Sequence, residues 1–169
     1  MADTPIDFGP LQRLDAQALG APGQRTFRLV AANRHGTAWL WLEKEELQVL
    51  GMTIEQLLGG LPLDPALQSS PPTPPTASVD ERELDRPAIE FKVGRLSMGY
   101  DETADLFVLL VHEIDVDPDG APTLRCLVSR RQLRALAQQI SAVCAAGRPR
   151  CPLCGVVLSG PRHVCPRLN

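Results

Sequence analysis

The sequence predicts an α+β protein in which antiparallel sheet is covered by two helices, with a short cysteine-rich tail. Three observations carry this reading. Apolar alternation is broken by hairpin turns, two segments switch to a helical period, and the last nineteen residues gather Cys and His at ligand-like spacing.

The elements follow in order. Thr26 to Ala32 alternates partly and meets Asn33-Arg-His-Gly36, a hairpin turn, before a second strand at Ala38 to Leu42. Glu43 to Leu58 then sets Leu47, Leu50, Ile54, Leu57 and Leu58 on one helical face, and Gly59-Gly60 stops it. Residues 61–86 change character, with Pro62, Pro65, Pro71, Pro72, Pro74 and Pro75 among Ser, Thr and Gly, as in a loop or linker. The PxxP spacing within it is expected to be incidental. Strands are expected at Ile89–Tyr100, Leu106–Ile114 and Thr123–Val128. Ser129 reads as the N-cap of a helix whose apolar face is Leu133, Leu136, Ala137, Ile140, Val143 and Cys144.

The two halves resemble one another. Thr37 to Leu50 aligns with Thr123 to Leu136 at a constant offset of 86, pairing Leu47 with Leu133, Leu50 with Leu136 and Ile54 with Ile140. With Leu11–Leu19 as a first strand, each half reads β-β-β-α. Either a duplication with a pseudo-twofold or a recurring strand-to-helix junction produces this pattern. The expected organisation is a first half at 1–60, the Pro-rich linker at 61–86, a second half at 87–147 that packs with the first, and a tail at 148–169.

Aromatics make up 4% of the chain, so base stacking is not expected to be a major theme. No apolar run is long enough to span a membrane, and the first residues lack signal-peptide character, so the expected compartment is the cytoplasm. There thiols stay reduced, and the isolated Cys126 and Cys144 are expected to be buried and inert. Charge is divided sharply. Residues 1–120 hold nine basic and 20 acidic side chains, a balance of −11, whereas residues 121–169 hold eight arginines and no acid. Such a division suits an acidic or nucleic-acid partner, or attraction between two parts of one fold.

The tail carries the chemistry. Cys151-Pro-Leu-Cys154-Gly155 aims two thiolates at one point, and His163-Val-Cys165 sets two more donors on one face of an extended segment. Three S donors and one N donor complete a tetrahedron with no open position, the arrangement of a structural zinc knuckle. A redox CxxC would open a helix in a β-α-β setting, and haem attachment would need His in place of Gly155. Asp115 to Gly120 resembles the start of a calcium loop, but Cys126 stands at its twelfth position, so a hairpin turn is expected. His112 and Glu113 point to opposite faces of a strand and form no local pair. Arg130, Arg131 and Arg134 on the second helix, with Arg148, Arg150 and Arg162 near the knuckle, form a candidate basic patch, the alternative being a solvated surface.

Trp41-Leu-Glu-Lys-Glu, Glu90 to Met98, and Gly147-Arg-Pro-Arg-Cys-Pro-Leu-Cys-Gly155 with His163-Val-Cys-Pro-Arg-Leu-Asn169 resemble the bacterial domain-of-unknown-function family 3090. The resemblance covers nearly the whole chain and implies a bacterial cytoplasmic protein, with no activity to carry over. The functional expectation is a non-enzymatic zinc-binding adaptor for a protein or nucleic acid. The alternative is an enzyme with a site in the cleft between the halves, using His112 or Glu113.

Overall fold

The structure is a computed structural model that describes residues 5–21, 23–61, 87–117, 119–146, 151–156 and 163–167. The Pro-rich residues 62–86 lie outside the described residues, as do Arg148, Arg150 and Arg162. Among the described residues, seven strands and two helices follow in chain order. They are β1 (Ile6–Pro10), β2 (Arg13–Leu19), β3 (Thr26–Asn33), β4 (Gly36–Leu42), α1 (Lys44–Gly59), β5 (Ile89–Asp101), β6 (Leu106–Glu113), β7 (Leu124–Val128) and α2 (Arg130–Ala145).

The class is α+β, as the sequence predicts, but the sheet is mixed instead of antiparallel. Its order is β1-β7-β6-β5-β4-β3-β2. The hairpin partners β2·β3, β3·β4, β5·β6 and β6·β7 are antiparallel, whereas β1·β7 and β4·β5 run parallel. Parallel pairs join segments far apart in sequence, so no local turn announces them.

Only Leu11 and Gln12 separate β1 from β2, although these strands occupy opposite ends of the order. The Leu11 amide donates to the Leu127 carbonyl and the Gln12 amide to the Ala32 carbonyl, both at 2.9 Å. Both ladders therefore run up to the join, and the sheet curls until its ends meet as a barrel. One continuous path, Ile6 to Leu19, leaves β7 for β3 midway along. β5 behaves in the same way: Ile89–Lys92 pair with β4, the register breaks between Val93 and Arg95, and the remainder pairs with β6. Gly94 permits that bend, because a Cβ there would stand 2.6 Å from the Ile114 Cα.

Both halves thus read β-β-β-α, with β4 pairing onto the start of β5 as β7 pairs onto β1. The helices obey the same offset of 86. The Ser129 hydroxyl accepts from the Gln132 amide at 3.2 Å while Gln132 accepts from the Ser129 amide at 2.9 Å; Glu46 likewise accepts from the Glu43 amide at 2.8 Å. Leu47, Leu50 and Ile54 of α1 and Leu133, Leu136 and Ile140 of α2 join the inward strand residues Leu29, Leu40, Leu109 and Leu124 in one core. Gly51 lets the helices approach, since a Cβ there would lie 2.9 Å from Cγ2 of Ile140. Leu57 differs from expectation and stands 36% exposed at the end of α1.

Candidate metal centre

Cys151, Cys154, His163 and Cys165 come together, and their four ligand atoms all lie within 4.8 Å of one another. The Cys151 and Cys165 sulfurs are 3.8 Å apart, and the Cys154 sulfur is 3.2 Å from Nε2 of His163. A tight turn builds the first half of the site. Gly155, at φ +74°, donates its amide to the Cys151 carbonyl at 2.9 Å, and the Cys151 amide returns to the Val156 carbonyl at 2.9 Å. That left-handed backbone suits glycine.

The turn also aims amides at sulfur. Backbone N–H groups of Cys154 and then Leu153 lower the Cys151 thiol to about 6, against the opposing effect of burial. At Cys165 the Arg167 amide favours the thiolate, but burial and the neighbouring Cys154 and Cys151 sulfurs outweigh it and raise the thiol. Such crowding of thiols is relieved when a cation takes the shared charge. Cys151 and Cys165 are buried, while Cys154 and His163 are half-buried. The four residues can therefore hold a metal ion, and protein donors alone supply four ligands.

The other cysteines serve the barrel. Cys126 and Cys144 are buried. Burial pushes the Cys126 thiol up to about 12, and burial also raises Cys144. His112 is buried with Nε2 3.2 Å from the Gly120 carbonyl, while the Glu113 amide donates to Thr123. In the hairpin loop after β6, the Asp117 carboxylate accepts from the Asp119 amide and the Asp117 carbonyl from the Gly120 amide. Those bonds make a turn of this segment, and Asp117 is spent on backbone.

The arginines of α2 are not equivalent. Arg130 donates to Asp105 at 2.9 Å and to the Tyr100 hydroxyl at 2.8 Å, with its guanidinium 5.4 Å from the Tyr100 ring centre, so it is engaged with the barrel. Arg131 is exposed and Arg134 half-buried. Around the centre itself, Leu153, Val156 and Val164 are 48%, 52% and 91% exposed. In the sequence these three are marked by nothing but their position among the four cluster residues.

The fold and the site together define a mixed-sheet barrel of two β-β-β-α halves followed by a Cys3His cluster. The chain belongs to the family described as protein of unknown function (DUF3090), which it matches over residues 6–165. Comparisons with curated proteins and with solved structures found no match. Among the described residues, no helix is long and apolar enough to cross a membrane.

Proposed function

We propose that the cluster is a structural zinc site and that the chain is a non-enzymatic binding module of the bacterial cytoplasm. It docks its arginine-flanked tail on an anionic partner, either a protein or a nucleic acid. The 3.8 Å separation of the Cys151 and Cys165 sulfurs carries the zinc assignment. Zn–S bonds of about 2.3 Å in a tetrahedron set sulfurs about 3.8 Å apart. Mixed thiolate and imidazole donors favour zinc among available divalent ions. Four protein ligands leave no position for water or substrate, so the ion supplies shape and not Lewis-acid chemistry.

The role follows from size and charge. A tail this short cannot bury a core, and the ion would hold it together instead. Leu153, Val156, Val164 and Arg167 are exposed, and the chain has no acid after Asp119. The test is affinity of the zinc-loaded chain for duplex DNA, single-stranded RNA and an acidic protein across a salt series. Phosphate contacts predict a steep loss of nucleic-acid affinity between 50 and 200 mM salt, roughly tenfold or more for two to three contacts. Absence of binding to all three at low salt contradicts the reading.

A further inference from the structure

The two halves differ in how their helices meet the neighbouring strand edge, and the difference opens a groove. After β7 ends, α2 lies beside β2 and closes its free edge. Gln139 accepts from the Ala16 amide at 2.9 Å and donates to Asp15 at 3.1 Å, while Gln132 donates to the Leu11 carbonyl at 2.7 Å. At the offset of 86 the corresponding residues of α1 are Thr53 and Glu46. The Thr53 hydroxyl donates to Val49 in its own helix, and Glu46 caps α1 and carries no donor for a carbonyl. Between α1 and β5 there remains a groove of about 340 Å³, lined by Leu42, Val49, Leu50, Val93, Leu96 and Met98 among others.

Its floor is an unpaired strand edge. The carbonyls of Thr123 and Leu127 accept from Ile6 and Leu11 of the β1 side, so Cys126 between them points its backbone at β6. Cys126 faces Leu109, and Leu109 faces Met98 in the next register. Leu109 therefore spends its N–H and C=O on β7. Alternation then turns those of Leu96, Met98 and Tyr100 away from β6, toward the side β4 has left. Among the described residues nothing occupies them, whereas Gln139 occupies the Ala16 amide at the matching place in the other half.

We propose that this groove binds an extended, basic and apolar peptide segment of a partner protein by strand addition to β5. An open row of alternating amides and carbonyls is complementary to another backbone, and the apolar lining takes every second side chain. Glu45 and Glu46 stand exposed on the rim, which selects arginine or lysine at the intervening positions. Val49 at 62% exposure and Met52 at 62% continue the apolar surface along α1. None of the residues lining the groove belongs to the Cys3His cluster.

The test uses the full chain, with amide exchange followed by NMR in the presence of an acetylated hexapeptide of alternating arginine and valine. In the free protein the amides of Leu96, Met98 and Tyr100 exchange fast while those of Ser97 and Gly99 are protected. On binding, the first three gain protection of tenfold or more. Met98→Pro removes one edge donor without touching the β6 ladder and lowers affinity at least tenfold; exposed Val49→Lys does the same by opposing the peptide's charge. The same hexapeptide with glutamate for arginine binds at least tenfold more weakly. Edge amides protected without peptide, no binding of the basic peptide, or binding that both variants leave unchanged would each overturn the proposal.

Discussion

Gly51 of α1 faces Ile140 of α2 so closely that a methyl group at position 51 would fall 2.9 Å from Cγ2. Helix propensity alone favours alanine at this position by about 1 kcal/mol. Overpacking opposes it by about 1–3 kcal/mol. Since the branch carbon of Ile140 cannot swing aside, packing wins, and Gly51→Ala should lower stability by about 1 kcal/mol. A urea-denaturation cycle with Ile140→Ala checks the cause: the second substitution should cost less in the Gly51→Ala background than alone.

The closed edge of β2 gives a second comparison. Gln139→Ala leaves the Ala16 amide and one Asp15 oxygen without this partner, and should cost about 1–2 kcal/mol. Thr53→Ala, at the corresponding place in α1, removes only a bond to its own helix and should be within about 0.5 kcal/mol of neutral. Equal losses in thermal or urea unfolding would mean that the two helices close their strands alike.

Asp105 gives a signed pH dependence. The Tyr100 hydroxyl donates to its carboxylate at 2.5 Å and Arg130 adds a second bond at 2.9 Å, and together they hold its pKa below the ordinary 3.8. Because the folded value is the depressed one, the contribution to stability is present above 3.8 and is lost as pH falls through the lower folded value. Tyr100→Phe removes the larger cause. An NMR titration of the Asp105 side chain should move up toward 3.8 in that variant, and an unchanged midpoint would contradict the assigned cause.

Thiol reactivity separates the cysteines. The metal-loaded chain should resist alkylation throughout, because bound thiolates are shielded and Cys126, pushed up to about 12, is buried. Chelation should expose Cys151, Cys154 and Cys165 to reagent, leaving Cys126 and Cys144 unmodified until the barrel is denatured. Mass spectrometry of alkylated peptides reads this directly.

Local physics made much of this protein legible in its sequence. Ser129 announced α2, and the spacing of Leu47, Leu50 and Ile54 announced the buried face of α1. The clustering of Cys151, Cys154, His163 and Cys165 could be read because CxxC followed by HxC leaves few geometries for four donors. What stayed hidden was non-local. β1 leaves little local trace, since Gly9 and Pro10 are poor strand formers and its partner β7 lies more than a hundred residues away. Parallel pairing of β4 with β5 likewise has no turn to mark it, so the sheet was expected to be antiparallel. The groove beside Met98 is the consequence of a strand changing partner at Gly94, which no periodicity records.

Metal content tests the central claim most directly. Purified from cells without added metal, the chain should carry one zinc per molecule by plasma mass spectrometry, and Cys154→Ser and His163→Ala should each lose it while the barrel keeps its far-ultraviolet dichroism. Wild-type protein that refuses zinc, or full stoichiometry and affinity retained in both variants, would contradict the assignment of Cys151, Cys154, His163 and Cys165 as a zinc site.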